Sequence, residues 1–284
     1  MNPPSSAERS VRLRELIADH IVMLPGAINA LSARLIEREG FEAMYVSGAV
    51  LSNSVGGVPD VGLMTLSESE QHCSHIADAT SIPILCDADT GYGGPENAAR
   101  TVRALERAGV GAIHIEDQEF PKRCGHLAGK SLVDAEAFCE VIAAAAEAKT
   151  SDDFLLLART DARSVTGYDD AVRRARLYLE AGADGIFPEA LEGEEEFRRF
   201  AQDVDTILLA NMTEYGKTPY FTADEFADMG YSLVIFPVTL QRIAMAAMED
   251  ALRVLKTDGT QRALLAHMQT REELYELLDY DGRV

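Results

Sequence analysis

Three acidic residues close two short apolar runs in a pattern that suits a hard metal ion. Asp87 and Asp89 end the run "PILCDAD" (83–89), and Glu116 lies at the end of "AIHIED" (112–117). If the first run is a β-strand, alternation along it directs both aspartates to the same side. Carboxylates are hard oxygen donors that suit Mg²⁺, with Mn²⁺ as a substitute. These acids predict a magnesium site, and the alternative is a set of helix caps and salt bridges.

The stretch "PKRCGHLAGK" (121–130) places one thiol between cations and a histidine. Lys122 and Arg123 precede Cys124, and His126 follows two residues later. Nearby positive charge favours the thiolate over the thiol, and the two glycines indicate a loop that could close over a ligand. These residues alone support a reactive thiol and an incidental surface cysteine equally. A soft-metal site is less expected, because no second Cys or His stands at ligand spacing.

The elements that must position these residues repeat along the chain. Segments with helical spacing of apolar residues alternate with short apolar runs, as in parallel sheets buried on both faces. The runs cover residues 21–26, 43–48, 83–89, 112–117, 154–160, 185–190, 207–211 and 233–238. Several helical segments end on a glycine shortly before the next run: Gly40, Gly109, Gly182 and Gly230.

Eight such units predict an α/β fold, a single (β/α)8 barrel of the TIM type. We expect one domain over residues 1–284, with an N-terminal helical extension at about 5–20 and a C-terminal helical segment at about 240–280. The alternative is a doubly wound open sheet, which usually has fewer strands.

In such a barrel the carboxyl ends of all strands lie on one rim, where the active site is built. A single acid at a strand end is often a helix cap, but a set that also contains Arg and Asn is not expected from capping alone. The sequence therefore predicts an active site on this rim, from Ser47, Asp87, Asp89, Glu116, Asp117, Arg159, Asp161, Glu189 and Asn211.

The charge balance limits the partners. The 284 residues include 47 Asp and Glu against 26 Lys and Arg, for a net charge of −21. A field of this sign repels nucleic acid and anionic membranes, and no apolar run reaches the roughly 18 residues that span a bilayer. The first residues show no signal region, so we expect a cytoplasmic protein. An anionic substrate would need local cations or a metal.

Several longer motifs resemble one enzyme superfamily, that of isocitrate lyase and phosphoenolpyruvate mutase, over about residues 10–280. They are "CDADTGYGG", "IHIEDQ", "KRCGH", "ARTDA", "FPEA" and "NMTEYGKTPYF". The resemblance implies Mg²⁺-dependent carbon–carbon cleavage of the retro-aldol or Claisen type. The expected reaction splits 2-methylisocitrate into pyruvate and succinate, as in the methylcitrate cycle of propionate catabolism. Alternatives are a 2,3-dimethylmalate lyase, an isocitrate lyase-like enzyme, an oxaloacetate hydrolase, a carboxyphosphonoenolpyruvate mutase-like enzyme, or a silent barrel with an eroded rim.

The resemblance also implies roles for individual residues. Asp87, Asp89 and Glu116 match the metal acids. Cys124 matches a general acid on the catalytic loop, with His126 orienting the thiol and Tyr45 as the candidate base. The substrate contacts that it implies are Ser47, Gly48, Gly125, Arg159, Glu189, Asn211, Thr213, Arg242 and Arg271.

Some positions depart from the superfamily pattern. Ala49 stands where many members carry glycine, and the loop continues "HLAGK" (126–130), so the exact substrate is left open. Superfamily habit implies a homotetramer whose C-terminal helices are exchanged between subunits. The chain ends at Val284, somewhat short of relatives, which leaves the packing of its C-terminal helices open.

Overall fold

An eight-stranded parallel sheet forms the centre of the molecule. The computed structural model describes residues 3–125 and 129–282. The strands are β1 Val22–Pro25, β2 Met44–Val46, β3 Ile84–Asp87, β4 Ala112–Glu116, β5 Leu155–Thr160, β6 Gly185–Pro188, β7 Ile207–Asn211 and β8 Leu233–Phe236. They pair in the order β1-β8-β7-β6-β5-β4-β3-β2. A parallel bridge between Gly26 and Tyr45 links β1 to β2, so the sheet is a nearly closed barrel, which confirms the predicted fold.

Helices surround the strands. They are α1 Ser6–Asp19, α2 Ala30–Arg38, α3 Gly48–Leu51, α4 Leu66–Ala79, α5 Pro95–Arg107, α6 Ala135–Glu147, α7 Tyr168–Glu180, α8 Glu194–Asp203, α9 Ala223–Asp228, α10 Thr239–Asp258 and α11 Arg271–Leu277. Within the described ranges, none is both long enough and apolar enough to cross a membrane. Gly40, Gly109, Gly182 and Gly230 all adopt positive φ after α2, α5, α7 and α9. Glycine takes this left-handed conformation at least cost, which explains its place before the next strand.

The amino end of the barrel is closed by α1. Leu13 and Leu16 pack with the strand residues that face the barrel interior, among them Leu85 and Phe187. The Arg9 guanidinium donates to carbonyls such as that of Ala77 at 2.7 Å. These contacts lie at the starts of the strands, so α1 leaves the opposite rim open.

The long helix α10 is different, since none of its side chains is buried. Its large apolar side chains are exposed: Ile243, Met245, Met248, Leu252 and Leu255. The last barrel helix therefore has little packing against the barrel of its own chain.

Because α1 acts as a plug that closes the amino end of the barrel through Leu13 and Leu16, the effect of one substitution can be predicted. Leu13→Ala removes a fully buried side chain from the barrel interior and should lower the free energy of unfolding by about 2–5 kcal/mol. Urea denaturation followed by circular dichroism measures this change. Leu31→Ala on α2 is the matched control, because Leu31 is 40% exposed; equal losses in the two variants would contradict the plug.

Candidate active site

The three predicted metal acids meet on the rim. Asp87 and Glu116 end β3 and β4, as predicted, but Asp89 lies beyond β3 with a positive φ of 48°. Strand alternation therefore does not place Asp89, and that part of the prediction was wrong. Backbone contacts bring it in instead: Asp89 N donates to Asp87 Oδ1 at 2.9 Å, and Glu116 N donates to the Asp89 carbonyl at 2.8 Å. All three carboxyl side chains are buried.

A fourth acid and a lysine complete this acid rim of Asp60, Asp87, Asp89 and Glu116. The buried Lys122 ammonium forms ion pairs with the half-buried Asp60 and, at 2.7 Å, with Asp89 Oδ1. Its positive charge is therefore paired with the rim acids, which removes the main reason for expecting Lys122 to favour a Cys124 thiolate.

Burial disturbs the acids unequally. It raises the pKa of Asp89 to about 6, because desolvation outweighs the attraction of Lys122. Burial likewise raises the pKa of Glu116 well above its ordinary value, despite the nearby Arg159. The pKa of Asp87 is lowered, since His114, Lys122 and Arg159 together more than offset its desolvation.

The oxygen donors of the acid rim fit a divalent metal. Among the described residues, both Glu116 carboxylate oxygens are buried and accept no hydrogen bond, although Arg159 lies 3.2 Å from one of them. Asp89 Oδ1 is buried beside the Lys122 ammonium. Within those same ranges, no three His, Cys, Asp or Glu side chains form a ready-made cage for a metal ion. Mg²⁺ commonly binds to one or two carboxylates and keeps waters or substrate oxygens as its other ligands. The arrangement is therefore a partial, oxygen-only site.

Arg159 connects the acid rim to the rest of the site. Its guanidinium lies 3.2 Å from Glu116 and 3.3 Å from Glu189, and it forms a forked pair with Asp161 at 2.9 and 3.2 Å. The Phe187 ring packs beneath it, with 5.1 Å from the guanidinium carbon to the ring centroid. The carboxylates raise the pKa of Arg159 despite its burial. Arg159 is thus a fixed positive charge at the end of β5.

The loop that carries Cys124 lies against this arginine. Gly125 is buried, and a Cβ there would stand 2.6 Å from Glu189 Cγ and clash with Arg159. Cys124 itself is half-buried. His126, the predicted partner of the thiol, lies outside the described residues. The loop therefore places Cys124 one residue from the Arg159–Glu189 contact.

Tyr45, the candidate base, is fully inside the barrel. Its hydroxyl lies 2.7 Å from His114 Nε2, and His114 Nδ1 lies 3.8 Å from Asp87 Oδ1. Burial raises the pKa of Tyr45 well above its ordinary value and lowers the pKa of His114 to about 4. At neutral pH the phenol is protonated and donates to a neutral imidazole.

The structure places four other predicted contacts at the same end of the barrel. Ser47 caps α3, with its hydroxyl accepting from Val50 N at 3.4 Å, and Gly48 N donates to Asp87 Oδ2 at 3.2 Å. Asn211 Nδ2 donates to Glu189 Oε2 at 3.2 Å. Thr213 follows two residues after Asn211 and is half-buried.

The last two predicted substrate contacts, Arg242 and Arg271, lie in different surroundings. Arg242, near the start of α10, lies 3.6 Å from Glu214 and over the Tyr215 ring. Arg271 opens α11 and is exposed in a surface pocket formed by residues 271–282. The described part of the chain does not bring Arg271 to the rim.

A cavity of about 630 Å³ adjoins the outer side of the acid rim. Asp89, Glu116 and Lys122 form a polar part of its wall, and Phe120 and Phe138 belong to the apolar part of the same wall. The cavity connects the acids to the space between the rim loops and α5 and α6.

The sequence reasoning missed several residues of the site. His114 is the one polar residue of the otherwise apolar run at residues 112–115, just before Glu116 and Asp117, which is a usable signal. Asp60, Gln118 and Lys130 lie in polar loops, and nothing local distinguishes them from solvated residues. The contact of Asp60 with Lys122 joins segments that are distant in sequence. Those of Gln118 and Lys130 arise where one loop folds back on itself.

The fold and the site together define a (β/α)8 enzyme with a partial metal site beside a thiol loop. A profile of the phosphoenolpyruvate phosphomutase family matches residues 13–256. A 2-methylisocitrate lyase of Aeropyrum pernix is 53% identical over 94% of this chain and 86% of its own length. A 2,3-dimethylmalate lyase of Eubacterium barkeri is 41% identical over 95% of this chain and 93% of its own. The structure of oxaloacetate acetylhydrolase with 3,3-difluorooxalacetate superposes with a TM-score of 0.91 at 34% identity, over 98% and 94% of the two chains.

The chain therefore belongs to the phosphoenolpyruvate mutase/isocitrate lyase superfamily. This membership and the oxygen-only donors of the acid rim point to a divalent metal ion as the cofactor.

The close packing of Gly125 yields a prediction. Gly125→Ala should displace the Cys124 loop, because the added Cβ would overlap Arg159 and Glu189, and a displacement near 1 Å can cost about 10²-fold in rate. Steady-state kinetics measure the loss of kcat. Gly193→Ala is the matched control, since a Cβ there meets no atom within 4 Å. Similar kcat values for the two variants would show that the loop does not rest on Arg159.

Proposed function

We propose that this protein is a carbon–carbon lyase that cleaves 2-methylisocitrate into pyruvate and succinate, with Mg²⁺ as its metal ion. The observation that supports this most is that three features meet at the carboxyl end of the barrel. They are the acid rim, Arg159 in its ion pair with Glu116, and the Cys124 loop. The identity of 53% to a relative named 2-methylisocitrate lyase supports this substrate. Its identity to the 2,3-dimethylmalate lyase is lower, at 41%.

The rim residues bind the parts of such a substrate. Asp87, Asp89 and Glu116 would hold the metal ion, whose chemistry is Lewis-acid polarisation of the bound hydroxyl and carboxylate oxygens. Arginine binds carboxylates in a forked geometry, which suits Arg159 and Arg242. The remaining proposed substrate contacts are Ser47, Gly48, Gly125, Glu189, Asn211, Thr213 and Arg271.

Cleavage then requires two proton movements. The hydroxyl loses its proton, its oxygen becomes the keto oxygen of pyruvate, and the electrons of the broken C–C bond remain on the succinate fragment. Cys124 gives its S–H proton to that carbon as a general acid, with His126 proposed to orient the thiol. Tyr45 is the proposed base. Because its pKa is raised, Tyr45 can accept the hydroxyl proton only while it passes its own proton to His114 Nε2, 2.7 Å away. Burial lowers the pKa of His114, so the imidazolium would depend on the Asp87 carboxylate, 3.8 Å from Nδ1, for its stabilisation.

The assembly is also a proposal. The exposed apolar face of α10, which includes Ile243, Met248 and Leu252, suits a contact with another copy of the chain. We propose a cytoplasmic homotetramer in which the C-terminal helices are exchanged between subunits. Such an exchange would also give Arg271 a route to a rim.

A substrate panel tests the proposed reaction. Purified protein with Mg²⁺ is given 2-methylisocitrate, 2,3-dimethylmalate, isocitrate and oxaloacetate separately, and pyruvate, glyoxylate and oxalate are measured. We expect rapid pyruvate release from 2-methylisocitrate, its loss with EDTA, and its return on adding Mg²⁺. A preference for 2,3-dimethylmalate would assign the second candidate, and activity that survives EDTA would contradict the metal.

The role of the thiol has its own test. Cys124→Ala should lower kcat by about 10²–10⁴-fold, the contribution typical of a positioned general acid, while substrate binding measured by calorimetry is retained. Cys139→Ala is the control, because this half-buried thiol lies on α6 with its sulfur 3.7 Å from the Leu177 carbonyl. Near wild-type turnover by Cys124→Ala would remove the thiol from the mechanism.

A further inference from the structure

The loop after β4 is tied at its base by backbone pairing. Val133 N donates to the Asp117 carbonyl at 3.0 Å, and Glu119 N donates to the Ser131 carbonyl at 2.9 Å. Gln118 forms an antiparallel bridge with Leu132 between them. This short ladder fixes where the loop leaves and rejoins the barrel, but it lies several residues from Cys124.

A side chain holds the residue before the thiol. Gln118 is buried, and its side-chain amide bonds both polar groups of the Arg123 backbone. Gln118 Nε2 donates to the Arg123 carbonyl at 2.8 Å, and Gln118 Oε1 accepts from Arg123 N at 2.9 Å. A paired amide of this kind restrains the peptide in the way that a neighbouring β-strand would. Arg123 is thereby held against the ladder.

A buried lysine holds the residue after the thiol. The Lys130 ammonium donates to the Gly125 carbonyl and forms an ion pair with Asp161 Oδ1 at 2.6 Å. Both side chains are at most 1% exposed. A buried ammonium is tolerated only when it is paired and hydrogen-bonded, so its position is tightly constrained. Asp161 also binds Arg159, which connects the loop to the main cation of the site.

We propose that Gln118 and Lys130, the latter through Asp161, are positioning residues that hold Cys124 over the Arg159 side of the site. The two contacts fix the peptide on both sides of the thiol, at Arg123 and at Gly125. This role rests on the proposed function, in which Cys124 protonates the departing fragment. Neither side chain is itself a proposed substrate contact, but Lys130 holds Gly125, which is one. Gln118 contacts only the Arg123 backbone in this loop, so its loss should affect the proton transfer rather than substrate binding.

Two measurements on the intact protein test this role in Lys130→Met and Gln118→Ala. The first is kcat and KM with 2-methylisocitrate; misplacement of the donor should lower kcat by about 10²-fold in both variants, with KM little changed in Gln118→Ala. The second is the rate of Cys124 alkylation by iodoacetamide without substrate, followed by peptide mass mapping. We expect faster alkylation, since a released loop exposes the half-buried thiol.

Controls separate positioning from general damage. Lys149→Met removes another lysine–aspartate ion pair, with Asp184 at 2.9 Å, and should change neither measurement. Cys73 and Cys86 are fully buried and should stay unlabelled while the fold is intact. If either is labelled in Lys130→Met, Lys130→Arg carries the test instead: it keeps the charge beside Asp161 but replaces the ammonium on the Gly125 carbonyl with a larger planar group.

The outcomes are distinct. Wild-type kcat and wild-type alkylation in both variants would overturn the positioning role, and so would a loss of kcat with unchanged alkylation of Cys124. If the wild-type protein releases no pyruvate, the proposed function fails instead. The alkylation rates then still decide whether Gln118 and Lys130 hold the thiol, because that measurement needs no substrate.

Discussion

The ion pairs of the Arg159 guanidinium are the interactions on which the rest of the site depends. The guanidinium contacts Glu116 of the acid rim, Glu189 near Asn211, and Asp161, which also binds Lys130. Removing one partner from a buried ion pair leaves an uncompensated charge and typically costs several kcal/mol. Loss of Arg159 would leave Glu116 and Glu189 without this ion-pair partner and Asp161 with Lys130 alone. The acid rim, the Glu189–Asn211 side and the loop anchor would therefore all be disturbed together.

The barrel makes this convergence possible. Parallel strands end on one rim, and the register aligns Glu116 of β4 directly with Arg159 of β5. Because α1 closes the other end, the interior can be packed with Leu, Phe and Tyr side chains up to the level of Tyr45 and Phe187. The polar site rests on that apolar floor, which explains the strong desolvation of Tyr45, His114 and Glu116. The same desolvation that disturbs their pKa values would strengthen every charge interaction with a bound substrate.

Sequence patterns predicted the parts of the site that depend on periodicity. The strands, and with them the ends that carry Asp87, Glu116 and Arg159, follow from apolar runs separated by helical segments. Asp89 shows the limit of this reasoning, because its place comes from a turn with positive φ and not from strand alternation. Lys122 shows it again, since a cation beside a cysteine in sequence is paired in space with Asp60 and Asp89. Such contacts depend on how loops fold back over the rim, which no local pattern encodes.

The charges at the rim bear on how a strongly acidic protein would bind the proposed acidic substrate. Six carboxylates, those of Asp60, Asp87, Asp89, Glu116, Asp161 and Glu189, face three cationic side chains, those of Lys122, Lys130 and Arg159. A di- or tricarboxylate would add further negative charge to a region that already has an excess of carboxylates over cationic side chains. Burial raises the pKa values of Asp89 and Glu116, which makes their protonation easier, and protons on these acids reduce the excess of negative charge. Asp87, Asp89 and Glu116 would hold a divalent cation, which would offset the same excess of negative charge without protonation and supply positive charge for a substrate carboxylate. Because a metal ion binds the deprotonated carboxylates, its binding at Asp89 and Glu116, whose pKa values burial raises, would be coupled to proton release at the acid rim.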